Sequence, residues 1–169
     1  YILQSAELAS KCGAERIVVH SGSCSKISRE YALELALDTM KKAVDAMDSN
    51  GFSNISICPE TMGKLAQIGT VEEITRFCKI DSIYTPCIDF GHINARERGS
   101  LKTVADYQDR LQYMIDELGY ERMKHFHMHF SKIMYSAKGE IKHLTFEDEV
   151  YGPEFAPLAE ALKELGLEP

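Results

Sequence analysis

Three histidines, His125, His127 and His129, alternate with Phe126, Met128 and Phe130 in the stretch HFHMHF. Successive side chains of a β-strand point to opposite faces. One face of this segment therefore carries imidazoles, and the other carries two phenyl rings and a thioether. Imidazole near neutral pH serves two chemistries, metal ligation and proton transfer. Other ligand-type residues recur along the chain. His20 closes RIVVH, Glu60 closes SICPE, Asp89 closes TPCID with His92 three residues on, and His143 closes EIKH. Two carboxylates with several imidazoles suit zinc, manganese or iron better than magnesium or calcium, which favour oxygen. An ion held there can activate water, polarise a phosphoryl or carbonyl oxygen, or clamp both ends of a displacement.

The elements that must position these residues alternate helix and strand. Residues 2–12 read as a helix stopped by Gly13, and RIVVH (16–20) as a buried strand. Residues 30–51 form a helical pattern with Leu33, Leu37, Met40, Val44 and Met47 on one stripe, ended by Asn50-Gly51. NISICPE (54–60) is the next strand, and Thr70 with Glu73 predicts a capping box opening VEEITRFCK. YTPCIDF (84–90) is the third strand. Thr103 caps a helix with Val104, Tyr107, Leu111, Met114, Ile115 and Leu118 inward, closed by Gly119. HFHMHF (125–130) is the fourth strand, and a last helix runs from Phe155 to Leu165 and ends at Gly166. Strand–helix repeats of about thirty residues are βα units and imply an α/β fold with a parallel sheet. The candidates are a (β/α) barrel and an open doubly wound sheet, and no GxGxxG follows the first strand to support dinucleotide binding. In a barrel the carboxyl ends of the strands surround one mouth, and all four strands here deliver a ligand-type residue near that end. His125, at the start of its strand, reads as structural. Cys58 and Cys87 read as buried packing residues, and Cys12 and Cys24 carry no signal.

The 169 residues suffice for a single domain, 1–169, with its own core. The formal charge of −7, from 19 basic and 26 acidic residues, argues against non-specific nucleic-acid binding, although bound divalent ions reverse the local sign. No apolar run approaches the ~20 residues of a membrane span, and no signal-peptide pattern occurs. Five cysteines without CxxC spacing fit a reduced, cytoplasmic compartment.

Taken together, these motifs resemble a known family. VVHSGS is similar to the HPGS strand end of endonuclease IV, CPETMGKLAQIGTVEEI to its glutamate motif, and CIDFGH to its C-[IL]-D-x-x-H motif. HMHFSK resembles H-[IL]-N-D-[SA]-K, and Lys142-His143 the following D-R-H. The likeness runs from His20 to His143 and points to the AP endonuclease family 2, xylose isomerase-like TIM barrel superfamily. It implies a trinuclear zinc cluster that hydrolyses the phosphodiester 5′ of an abasic site. By resemblance His20 belongs to the first metal and Glu60 bridges the first and second. Asp89 and His127 hold the second, and His92 and His143 the third.

The family aspartate falls on Ile141, with Glu140 adjacent, and the family Asn-Asp is replaced by His129 and Phe130. Glu60 and His129 are the candidates for catalysis, His129 as an extra ligand or a base. Two family ligands fall before Tyr1 and after Pro169. A full barrel has eight strands in about 250 residues. The expectation is thus a partial (β/α)8 barrel of about four parallel strands. The missing strands would come from the rest of a longer chain or a second copy, because open strand edges are avoided.

Three functions are consistent with this reading. The first is a metal-dependent hydrolase acting on damaged DNA in repair. The second is a sugar or sugar-phosphate isomerase or epimerase holding one divalent ion, manganese for example, on Glu60, Asp89 and His127. The third is a non-catalytic metal-binding barrel.

Overall fold

The computed structural model describes residues 1–169. Four short strands run parallel: β1 (Arg16–Val19), β2 (Ser56–Pro59), β3 (Cys87–Asp89) and β4 (His127–His129). β1 pairs with β2 through Val19 opposite Pro59, and β3 with β4 through Cys87 opposite His127 and Asp89 opposite His129. Bridges Ile57–Tyr84 and Glu60–Cys87 join the two pairs, so the strands follow one another in sequence order as barrel strands do.

Helices lie between the strands. α1 (Ile2–Cys12) ends at Gly13 in the left-handed conformation. α2 (Arg29–Ser49) is capped by the Ser28 hydroxyl, which accepts from the Tyr31 N–H. Leu33, Met40 and Met47 of its stripe are buried with Ala32 and Ala43, while Leu37 and Val44 are half-buried. α3 (Val71–Cys78) and α5 (Val104–Leu118) both open with capping boxes, Thr70 with Glu73 and Thr103 with Asp106. α6 (Tyr120–Lys124) precedes β4, and α7 (Phe155–Leu165) ends at Gly166. The apolar core lies between strands and helices. Phe126 and Phe90 are fully buried, with ring centroids 6.5 Å apart, and Phe90 lies 5.5 Å from Tyr107.

The third strand begins at Cys87 rather than residue 84, and the fourth spans only His127–His129 rather than 125–130, because His125 is the C-cap of α6. Two further features depart from the sequence expectation. The third strand stops at Asp89 rather than residue 90, because the Asp89 carboxylate accepts the His92 N–H at 2.9 Å and caps α4 (Phe90–Arg96). Residues 132–144 form an antiparallel hairpin, β5 (Lys132–Ser136) and β6 (Gly139–Leu144), outside the βα rhythm. Its turn docks on the loop after β2: the Glu140 N–H donates to the Gly63 carbonyl at 3.1 Å, and the Leu65 N–H to the Lys138 carbonyl at 3.3 Å.

Candidate metal centre

Register alone lines up the first ligand-type residues. With Val19 beside Pro59, the next residues, His20 and Glu60, face each other, and His20 Nε2 lies 2.9 Å from Glu60 Oε2. Glu60 pairs with Cys87, and Cys87 with His127, so one row crosses all four strands. Asp89 and His129 form the next row towards the carboxyl ends. His129 Nδ1 reaches Glu60 Oε1 at 2.7 Å. Glu60, Asp89 and His129 thereby offer three ligand atoms within 4.8 Å of one another. The other face of the strand segment meets the core: Phe126 is buried, and Phe130 packs at 5.9 Å on Phe146 and 5.0 Å on Phe155.

A second group comprises His92, Glu140 and His143. His92 sits on α4, and its Nδ1 lies 2.8 Å from the Thr61 carbonyl. A carbonyl only accepts, so Nδ1 carries the proton and Nε2 keeps its lone pair, 3.6 Å from Glu140 Oε2. His143 Nδ1 is engaged by the Ser131 hydroxyl at 2.7 Å, which leaves Nε2 facing Glu140 Oε1 at 3.8 Å. Residues three apart lie on opposite faces of a regular strand. Here Met134 pairs with Lys142 but Tyr135 with Glu140, so Ile141 is an extra, bulged residue. The bulge puts Glu140 and His143 on one face and turns Ile141 outward, 52% exposed. Glu140 thus stands where the resemblance had placed Ile141.

Three carboxylates share this cavity of about 240 Å³. The side chains of Glu60, Asp89 and Glu140 are only 5%, 4% and 11% exposed. Their ion-pair partners are histidines alone, with no lysine or arginine among them. Burial pushes the Asp89 carboxyl up from its ordinary value, and burial followed by the neighbouring His129 pushes the His127 imidazole down. Buried carboxylates that lack fixed cations, beside imidazoles with free nitrogens, fit divalent metal. A larger cleft of about 640 Å³ lies between α1, α2 and β1, but it is mostly apolar and holds only His20 from these groups.

His20 itself is 62% exposed and touches the centre through Glu60. His127 is not brought to Glu60 and Asp89; His129 takes that place, and His127 groups with Cys87 and His129. His125 hydrogen-bonds the Glu168 carbonyl at 3.0 Å, away from the cavity. Lys132, within the HMHFSK motif, is buried against Glu154 at 2.7 Å and anchors the segment before α7.

Sequence reasoning passed over Thr61, whose hydroxyl accepts the Asp89 N–H at 2.9 Å and whose carbonyl orients His92. It also passed over Lys64 and Gln67, which line the cavity from the loop after β2. Arg96 holds that loop by donating to the carbonyls of Met62 and Lys64, and Arg29 by donating to those of Leu65 and Gln67. The local signal was the pair Glu60-Thr61 followed by a glycine-containing loop.

A sequence profile of AP endonuclease 2, the xylose isomerase-like TIM barrels, matches residues 1–168. The chain belongs to the xylose isomerase-like TIM barrel family. The crystal structure of an AP endonuclease, family 2, from Brucella melitensis is similar to it with a TM-score of 0.62 at 12% identity, over 98% of this chain and 57% of that one. An uncharacterized protein of Methanocaldococcus jannaschii is 30% identical over 163 residues, 96% of this chain and 58% of that protein. The chain spans a little over half the length of the relatives it matches. For a xylose isomerase-like barrel, the sequential order of β1 to β4 is the expected one, and the open doubly wound alternative is set aside. No helix is long and apolar enough to cross a membrane, and all five cysteines are free.

Proposed function

We propose that this xylose isomerase-like barrel carries the metal centre of a phosphodiesterase of endonuclease IV type, acting on DNA at abasic sites. The observation that carries the reading is the presence of two ligand groups side by side. His92 Nδ1 lies 3.5 Å from Asp89 Oδ2 and 3.8 Å from Glu60 Oε1, so the groups Glu60–Asp89–His129 and His92–Glu140–His143 adjoin. One ion suffices to polarise the carbonyl of a sugar. Phosphoryl transfer spreads charge over several oxygens and favours more than one cation. Each group would hold one divalent ion, zinc by ligand type, and bound ions supply Lewis acidity to a phosphoryl oxygen.

The chain's own residues prepare that site. His20 and His129 each engage one oxygen of Glu60 and fix the plane of its carboxylate. Thr61 sets the tautomer of His92. The Arg29 and Arg96 clamp holds Lys64, the one basic residue lining the cavity, where a diester's charge would meet it.

Elemental analysis of protein purified without chelator, with a nicking assay on an abasic-site oligonucleotide, tests this reading. The expected result is two or more zinc ions per chain and nicking that is lost with chelator and restored by zinc. One ion, manganese in particular, with turnover of a ketose or its phosphate would replace it with the isomerase reading.

A further inference from the structure

Thr61 follows Glu60 at the end of β2 and is fully buried. Its N–H donates to the Cys87 carbonyl at 3.0 Å, which extends the parallel pairing of the Glu60–Cys87 bridge. In a regular parallel ladder the next N–H, that of Asp89, would donate to the Thr61 carbonyl. That bond is exchanged for another. The Asp89 N–H donates to the Thr61 hydroxyl at 2.9 Å, and the hydroxyl donates back to the Asp89 carbonyl at 3.2 Å. A hydroxyl can do both because it is donor and acceptor at once. The side chain thus stands in for its own carbonyl, and the carbonyl turns instead to His92 Nδ1 at 2.8 Å.

The exchange matters because His92 has other acceptors close by. Its Nδ1 lies 3.5 Å from Asp89 Oδ2 and 3.8 Å from Glu60 Oε1. Asp89 Oδ1 already accepts the His92 N–H at 2.9 Å. If the Thr61 carbonyl returned to the ladder, the Nδ1 proton would pass to one of these carboxylates. It would then occupy an oxygen of the strand group and swing Nε2 away from Glu140 Oε2, now 3.6 Å off.

We infer that the Thr61 hydroxyl is the positioning group that keeps the two ligand groups from pairing with each other. By taking the Asp89 peptide it releases the Thr61 carbonyl to hold His92. The Asp89 and Glu60 carboxylates stay available to one ion, and His92 Nε2 to the other. The inference deepens the two-ion reading and rests on it for the ions, but not for the hydrogen bonds.

Proton–nitrogen NMR of the metal-free protein, followed by zinc titration, tests it with Thr61→Val and Thr61→Ser. Thr61→Val keeps the branched shape and loses the hydroxyl, whereas Thr61→Ser keeps the hydroxyl and loses the methyl. In the wild type the His92 Nδ1 proton should give a resonance protected from exchange, assigned by its absence from His92→Gln. That resonance should be lost or displaced in Thr61→Val and kept in Thr61→Ser. The zinc equivalent that Glu140→Ala removes should bind about tenfold or more weakly in Thr61→Val and as in the wild type in Thr61→Ser. Thr61→Ala serves the same comparison if Thr61→Val does not fold. A wild type without the protected proton overturns the inference. So does Thr61→Val with an unchanged resonance, or with the zinc binding of a zinc-loading wild type, and so does a Thr61→Ser that behaves as Thr61→Val. A wild type that binds no zinc, yet loses the protected proton only with the hydroxyl, overturns the two-ion reading and leaves the Thr61–His92 link standing.

Discussion

The parallel strands and the β5–β6 hairpin bring ligand-type side chains to the same cavity by different devices. Strands β1 to β4 place His20, Glu60, Asp89 and His129 through ordinary period-two geometry and a shared register. The hairpin places Glu140 and His143 only because one residue, Ile141, is bulged out between them and its turn is docked on the loop after β2. The candidate ligands on the strands are therefore tied to the core, where Phe126 and Phe90 lie behind them, while those on the hairpin are tied to a local irregularity. The first group should be lost only when the core loosens. The second can be removed from a folded protein.

Variants can break or sharpen that contrast. The largest effect is expected from Phe126→Ala, at about 3–5 kcal/mol lost in urea denaturation, because a fully buried ring leaves a cavity behind β4. A loss below about 1 kcal/mol would mean that the strand array is not anchored in the core.

Glu73→Gln comes next, at about 2 kcal/mol near neutral pH, discounted because its partner Arg29 is partly exposed. Burial acts to raise the Glu73 carboxyl. Hydrogen bonds from Arg29 and from the Thr70 and Gly69 N–H groups outweigh it and hold the group below its ordinary value of 4.5. A depressed carboxyl stabilises the fold above its unfolded value, and that contribution fades as pH falls through the folded one. The wild-type and Glu73→Gln stabilities should therefore converge in strong acid, as compared in urea melts at neutral pH and at about pH 2. A gap that persists there would assign the effect to packing instead.

Gly139→Ala should cost about 1–3 kcal/mol. The residue has φ +88°, and an added Cβ would run into the Gly63 carbonyl oxygen at the docking point. Metal analysis should show the hairpin ion lost and the strand ion retained.

The smallest change in stability, within about 0.5 kcal/mol, is expected for Glu140→Ala, which should still lower the ion count by one. Adding Ile141→Asp to it should restore nothing, because residue 141 faces outward. Recovery of the ion in the double variant would show that the bulge does not govern which carboxylate enters the site.

Much of the architecture was legible because its signals are local. Thr70 with Glu73, Thr103 and Gly166 mark helix ends through hydrogen bonds and backbone conformations spanning a few residues. Glu60 and Asp89 were readable as strand-end carboxylates because short apolar runs precede them. The choice between His127 and His129 was not legible. Both lie on one face, and only the register of β4 on β3 and the bridge from Glu60 to Cys87 decide which imidazole reaches Glu60. Glu140 was illegible for a related reason, since a bulge depends on the partner strand and not on the bulged sequence alone.

The sequence by itself determined the residue types of this centre, their order along alternating strands and helices, and the separation of β4 into an imidazole face and an aromatic face. Periodicity and capping act within a few residues, so composition at those positions suffices. Tertiary structure decided which of these side chains meet. It set His129 against Glu60, slipped Glu140 into place beside His92 and left Cys87 with His127 one row below. Contacts between strands distant in sequence depend on register, and a shift of one residue would turn every one of these side chains to the other face.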